Sequence, residues 1–136
     1  MKNFIVPCAL FATLSSIYAT DFTAANNAEA DRIFNTFLQE HRSVAVFFML
    51  ADCPPCQLLK TSFQPLTEKY SDQGLSYLMI DYAQFEQWAE KRFGISCVPT
   101  FMFFKDGQEI APRILYSEDP IAVIANTIEE HITKIL

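Results

Sequence analysis

The stretch SVAVFFMLA, residues 43–51, is a nearly unbroken run of β-branched and aromatic apolar residues. A strand with water on one side alternates apolar and polar side chains. A run without that alternation is the pattern of a strand covered on both faces. A second run of the same kind, LSYLMID, occupies residues 75–81. Two such strands require helices on either side of a sheet.

The rest of the chain supplies those helices. AEADRIFNTFLQEH carries Ile33, Phe34, Phe37 and Leu38 at helical spacing behind Asn26 and Asn27, good capping residues. It predicts a helix over 28–41. Between the two strands, Leu58, Leu59, Phe63, Leu66 and Tyr70 recur with helical period, and Gly74 closes the segment. Pro65 lies inside it and is expected to kink it. FEQWAEKRFG predicts a helix ending at Gly94, with Trp88 and Tyr82 as packing residues. TFMFFKDGQEI reads as a hairpin turning at Asp106-Gly107. DPIAVIANTIEEHITKIL reads as an amphipathic helix with proline at its start. His41 and His131 fall near helix ends and are expected on the surface. The order α-β-α-β-α-β-β-α predicts an α/β fold with a central mixed sheet and helices on both faces.

The first residues have a different character. Lys2 precedes an apolar run from Phe4 to Leu14, trailing into small residues. This is the pattern of an export signal over residues 1–19, cleaved after Ala19 or after Ala25. The run is short for a membrane span, which takes about 20 apolar residues. An uncleaved anchor and a buried N-terminal element are the alternatives. The domain then covers residues 26–136, in the periplasm or the secretory pathway. Loss of residues 1–19 removes Lys2 alone among charged groups, so a net charge of −6 becomes −7. An acidic chain without a basic stripe argues against a nucleic-acid partner. With 3 glycines, the chain holds no phosphate-cradling glycine loop.

Export would leave Cys53, Cys56 and Cys97, an odd number that structural disulfides alone do not account for. Outside the cytosol, thiols can be oxidised and stay so. Cys53 falls where the first buried strand ends and a helix begins at Pro54 or Pro55. Open α/β sheets place their chemistry at that edge. Unpartnered amides and the helix dipole there favour an anion such as a thiolate. Cys53 is therefore the candidate nucleophile with a depressed pKa, and Cys56, one turn deeper, the resolving thiol. Proline is tolerated in a first helical turn, and two of them hold that turn rigid. The alternatives are a structural disulfide, or half of a zinc site completed from Cys97, His41 and His131.

The strand VAVFFML, the dithiol CPPC, the segment FGISCVPTFMFFKDG and the terminal helix together resemble the thioredoxin family, over roughly residues 28–136. CPPC itself is similar to the dithiol of tryparedoxins and nucleoredoxins. The resemblance implies a thioredoxin-like fold and a cis peptide bond before Pro99, in a loop lying against the dithiol. Val98 and Pro99 would then form the substrate-binding loop. It places Cys97 on the active-site side, either as a packing residue or as a third functional thiol. The chain departs from the family pattern in three places. Asp52 stands where a tryptophan usually precedes the first cysteine. Phe47 and its apolar neighbours occupy the strand that usually carries a buried acid, which helps deprotonate the second thiol. Pro65 lies nine residues beyond Cys56, about one turn further than in typical members.

The resemblance implies a thiol–disulfide oxidoreductase, without a cofactor or metal, that exchanges electrons with an upstream donor or acceptor protein; the export pattern makes its expected substrates exported proteins. Pro54 and Pro55 remove amide donors from the thiolate, and Asp52 adds a negative neighbour, a pKa modulator that disfavours it. The expectation leans to a reductase or isomerase over an oxidase. A second class of function is a client-binding, chaperone-like module without redox turnover, suggested by the Phe-rich strands and Val98. A third is a metal-binding cysteine site.

Overall fold

The computed structural model describes residues 22–110 and 112–136. The expected export segment lies outside them.

Helix α1 (Asn27–Glu40) is capped by Asn26, whose side chain accepts from the Glu29 N–H at 2.9 Å. The Glu29 carboxylate reaches back to the Ala25 N–H, so both sides of the cap are satisfied. Strand β1 (Ser43–Met49) follows, then α2 (Pro54–Ser71), β2 (Leu75–Asp81), α3 (Tyr82–Phe93), β3 (Thr100–Lys105), β4 (Gln108–Glu109), β5 (Ile114–Leu115) and α4 (Ile121–Ile135). The order is the expected one with an additional short strand, β5.

The sheet runs β2-β1-β3-β4, with β5 also on β3. β1 pairs parallel with β2 and antiparallel with β3, so the sheet is mixed. Its central strand is covered on both faces, as the apolar run requires. Val44, Val46 and Phe48 face α1 and α3 in a core with Phe34, Trp88 and Phe104. Ala45 and Phe47 face α2 and α4 in a second core with Phe63, Phe101, Phe103 and Ile128. One face is a mesh of edge-to-face rings around Phe34 and Trp88. On the other, Phe47 stacks on its register partner Phe101 with ring centroids 4.2 Å apart.

The Asp106-Gly107 turn forms as expected, both residues at positive φ (51° and 79°). That geometry matches the twist of a tight hairpin. Helix α2 continues across Pro65. Helix α3 begins three residues before the expected start, capped by Asp81, and Phe85 leaves helical angles inside it. Gly94, at φ 68°, ends α3 in the left-handed region that glycine adopts at no steric cost.

The histidines correct the surface expectation. His131 is buried: its Nδ1 lies 2.8 Å from the Thr127 carbonyl and its ring packs on Phe103. It sits on the same helical stripe as Ile124, Ile128, Ile132 and Ile135, and that stripe, not proximity to the terminus, decides its environment. His41 is half-buried at the end of α1, against Phe37 and within 2.9 Å of the Ser76 hydroxyl. Among the described residues no helix is long and apolar enough to cross a membrane.

Candidate active site

β1 ends at Met49, and a turn over residues 50–53 leads directly into α2. Cys53 caps α2, with extended backbone angles, and Pro54 and Pro55 take the first two helical positions. Neither proline has an N–H to offer. The first amide of the helix is therefore that of Cys56, and it donates to the Cys53 sulfur at 3.3 Å. The Gln57 N–H donates to the Cys53 carbonyl at 3.1 Å. Cys53 and Cys56 form a disulfide with Cα atoms 5.2 Å apart. The two are unequal: Cys53 is half-buried, whereas Cys56 is fully buried among Leu59, Phe63 and Phe101.

The loop before β3 completes this end of the sheet. The Val98–Pro99 bond is cis. Thr100 pairs with Phe48, so the loop comes up beside the end of β1. Val98 is half-buried and packs against both cores, one of which includes Cys53 and Cys56. Pro99 is buried. Cys97 is a free, exposed thiol whose carbonyl accepts from the Thr100 hydroxyl at 2.8 Å. Tyr82 donates to the Ile95 carbonyl in the same loop. Burial, with Glu86, Glu90 and Cys97 nearby, raises its phenol above the ordinary value.

Asp52 is exposed beside Cys53, as expected. No carboxylate is buried among the described residues, so the family's buried acid has no substitute in this core. Phe47, in its strand, is fully enclosed between Phe63 and Phe101. The zinc alternative finds no support, because among the described residues no three His, Cys, Asp or Glu side chains gather to hold a metal ion. The Phe-rich strands cannot serve as a peptide-binding face: Phe47, Phe48, Phe101, Phe103 and Phe104 are all buried in the two cores. Gln57 is a site residue that spacing alone does not reveal. Its side-chain amide donates to the Ala51 carbonyl at 2.7 Å, tying the helix start back onto the turn before Cys53.

The thioredoxin family model matches residues 24–130, from just before α1 into α4. The chain belongs to the thioredoxin family. It is 33% identical to human thioredoxin over 91 residues, 67% of this chain and 74% of that protein. It is 37% identical to sheep thioredoxin over 68 residues, half of this chain; that match spans 62% of the sheep protein, a little under two-thirds. Among solved structures, oxidised mitochondrial thioredoxin 3 from Saccharomyces cerevisiae superposes with a TM-score of 0.63 at 20% identity, covering 76% of this chain and 88% of that one. That likeness shows the thioredoxin fold. Thioredoxin family membership, together with the adjacent Cys53–Cys56 pair, supports disulfide oxidoreductase activity.

Proposed function

We propose that the chain is a thiol–disulfide oxidoreductase that reduces or isomerises disulfides of exported proteins, with Cys53 attacking and Cys56 resolving. The asymmetry of the pair carries this assignment: Cys53 is reachable at the helix cap, and Cys56 is sealed one turn inside. The Cys53 thiolate attacks one sulfur of a substrate disulfide. A mixed disulfide forms, and the other substrate sulfur leaves as a thiolate and takes a proton. The Cys56 thiolate then attacks the Cys53 sulfur, forming the Cys53–Cys56 bond and releasing the second substrate thiol. The substrate gains two electrons and the dithiol loses them, so an upstream dithiol donor must restore it. Val98, half-exposed in the loop beside the pair, would form part of the surface that meets the substrate, with the buried Pro99 next to it in the chain.

The decisive experiment is trapping. Cys56→Ser accumulates mixed disulfides with client proteins through Cys53, and Cys53→Ser does not. Equal trapping by both variants defeats the assignment. Insulin reduction with dithiothreitol reads the activity itself.

The direction rests on thiolate stability. An oxidant of this kind has a very stable thiolate, which requires donors at the helix start. Here one amide reaches the Cys53 sulfur and an acidic residue adjoins it. That supports a potential nearer about −270 mV than about −120 mV. Equilibration with glutathione giving a value above about −180 mV would remove the reductase lean.

Export is supported by the charged start and apolar run alone. Phe22 bears on the cleavage point: it is buried against Phe85 and Trp88, and cleavage after Ala25 would remove it from that core. Cleavage after Ala19 keeps it. N-terminal sequencing of the mature protein from its native host distinguishes Ala19, Ala25 and an uncleaved anchor.

A further inference from the structure

We propose that Gln57 is a positioning residue for Cys53, and that it acts by holding the Asp52 carboxylate away from the sulfur. This rests on Cys53 being the reactive thiol, as proposed above. The Cys53 N–H donates to the Leu50 carbonyl at 3.4 Å, so residues 50–53 close a turn whose central residues are Ala51 and Asp52. The Ala51 carbonyl belongs to the central peptide of that turn. Rotation of that peptide redirects the side chain of the next residue, which is Asp52. Gln57 lies outside residues 50–53. It reaches back from the first turn of α2 and pins the Ala51 carbonyl at 2.7 Å.

The pin matters because the sulfur has little else in its favour. Two prolines remove amides from the helix start, and one N–H reaches the Cys53 sulfur. A thiolate so thinly stabilised is sensitive to a nearby negative charge. Asp52 is the only carboxylate between Leu50 and Leu59. From the neighbouring elements, Asp81 ends β2, but its carboxylate is held by the Ala83 N–H and the Gln84 amide. Cys97 lies in the loop before β3. Asp52 has no such hold of its own, so the orientation of the turn sets its distance from Cys53.

The test is a double-mutant cycle in a Cys97→Ser background, so that the third thiol does not titrate. Gln57→Met keeps the length and helix propensity of the side chain and removes the donor. The readout is the thiolate absorbance of the reduced protein, assigned to Cys53 by its loss in Cys53→Ser. Gln57→Met is expected to lower the thiolate fraction of Cys53, at a pH below its pKa, by about two- to threefold. With Asp52→Asn already present, the same substitution is expected to change it by less than about a fifth. An unchanged titration in Gln57→Met overturns the proposal. So does a shift of equal size with and without Asp52, which would show a merely structural role. Insulin reduction by the parent protein reports separately on the activity. A protein whose Cys53 titrates but which reduces nothing sinks the proposed function, while the cycle still decides the role of Gln57.

Discussion

The backbone N–H of Cys56 donates to the sulfur of Cys53 across 3.3 Å, and it is the first amide the helix can offer. A cap side chain accepts from the second or third helical residue. Pro55 holds the second position and Cys56 the third. Pro55 therefore removes a donor that would have met the sulfur, and Pro54, at the first position, removes one that would not.

Pro55→Ala should lower the Cys53 pKa, because the restored amide stabilises the thiolate. One hydrogen bond contributes about 0.5–1.5 kcal/mol, or about 0.4–1 pKa unit. The reduction potential should become more positive by about 10–30 mV. Pro54→Ala should move both quantities much less. Thiolate absorbance and glutathione equilibration read the two, and equal shifts from the two variants would contradict the cap geometry.

Phe47→Ala should destabilise the protein by about 3–5 kcal/mol, the usual cost of removing a fully buried ring. Phe47 stacks on Phe101 and meets Phe63 edge-on, so the cavity has rigid walls that cannot close over it. The midpoint of urea unfolding measures this. A loss below about 1 kcal/mol would mean that the core collapses around the gap.

Glu129 on α4 accepts from Lys69 and Tyr70 on α2. Hydrogen bonds from Lys69 and then Tyr70 hold its carboxyl below the ordinary value of 4.5. A carboxyl lowered on folding contributes stability that is present above its unfolded pKa and lost as pH falls through the folded one. The α2–α4 contact should therefore weaken in acid, beginning near pH 4.5. On the alkaline side, Lys69 is raised above 10.5 by Glu129 and Tyr70, so its contribution is present below that value and lost as pH rises through the folded pKa. Unfolding midpoints of Glu129→Gln across pH should show a shallower decline in acid than the parent. Parallel curves would show that the cluster does not couple to folding.

Asp31 on α1 accepts from the Trp88 indole at 3.2 Å and from Arg92, both on α3. Asp31→Ala leaves the buried indole N–H without this partner, at a cost of about 1–3 kcal/mol. Trp88 is the chain's single tryptophan, so its emission reports both the local change and unfolding. Asp31→Asn, which keeps an acceptor, should recover most of the loss.

Much of this architecture is legible in the chain itself. The runs 43–51 and 75–81 have no polar face to give to water, so they must lie between helices. The Asp106-Gly107 turn and the cysteine pair at a strand-to-helix junction follow from local backbone preference, which acts over a few residues wherever the chain is placed. Other features depend on partners distant in sequence. β5 is two residues long, too short for any periodicity, and exists because Leu115 and Ile114 meet Thr100 and Phe101. His131 is buried because the stripe it shares with four isoleucines lies against the sheet. The hold of Gln57 on Ala51 needs the helix to start at Pro54 and the turn to fold back over it. Periodicity and local propensity act along the chain and can be read from it. The direction a polar side chain takes, and the partner it finds, depend on which elements the folded core brings within hydrogen-bond reach.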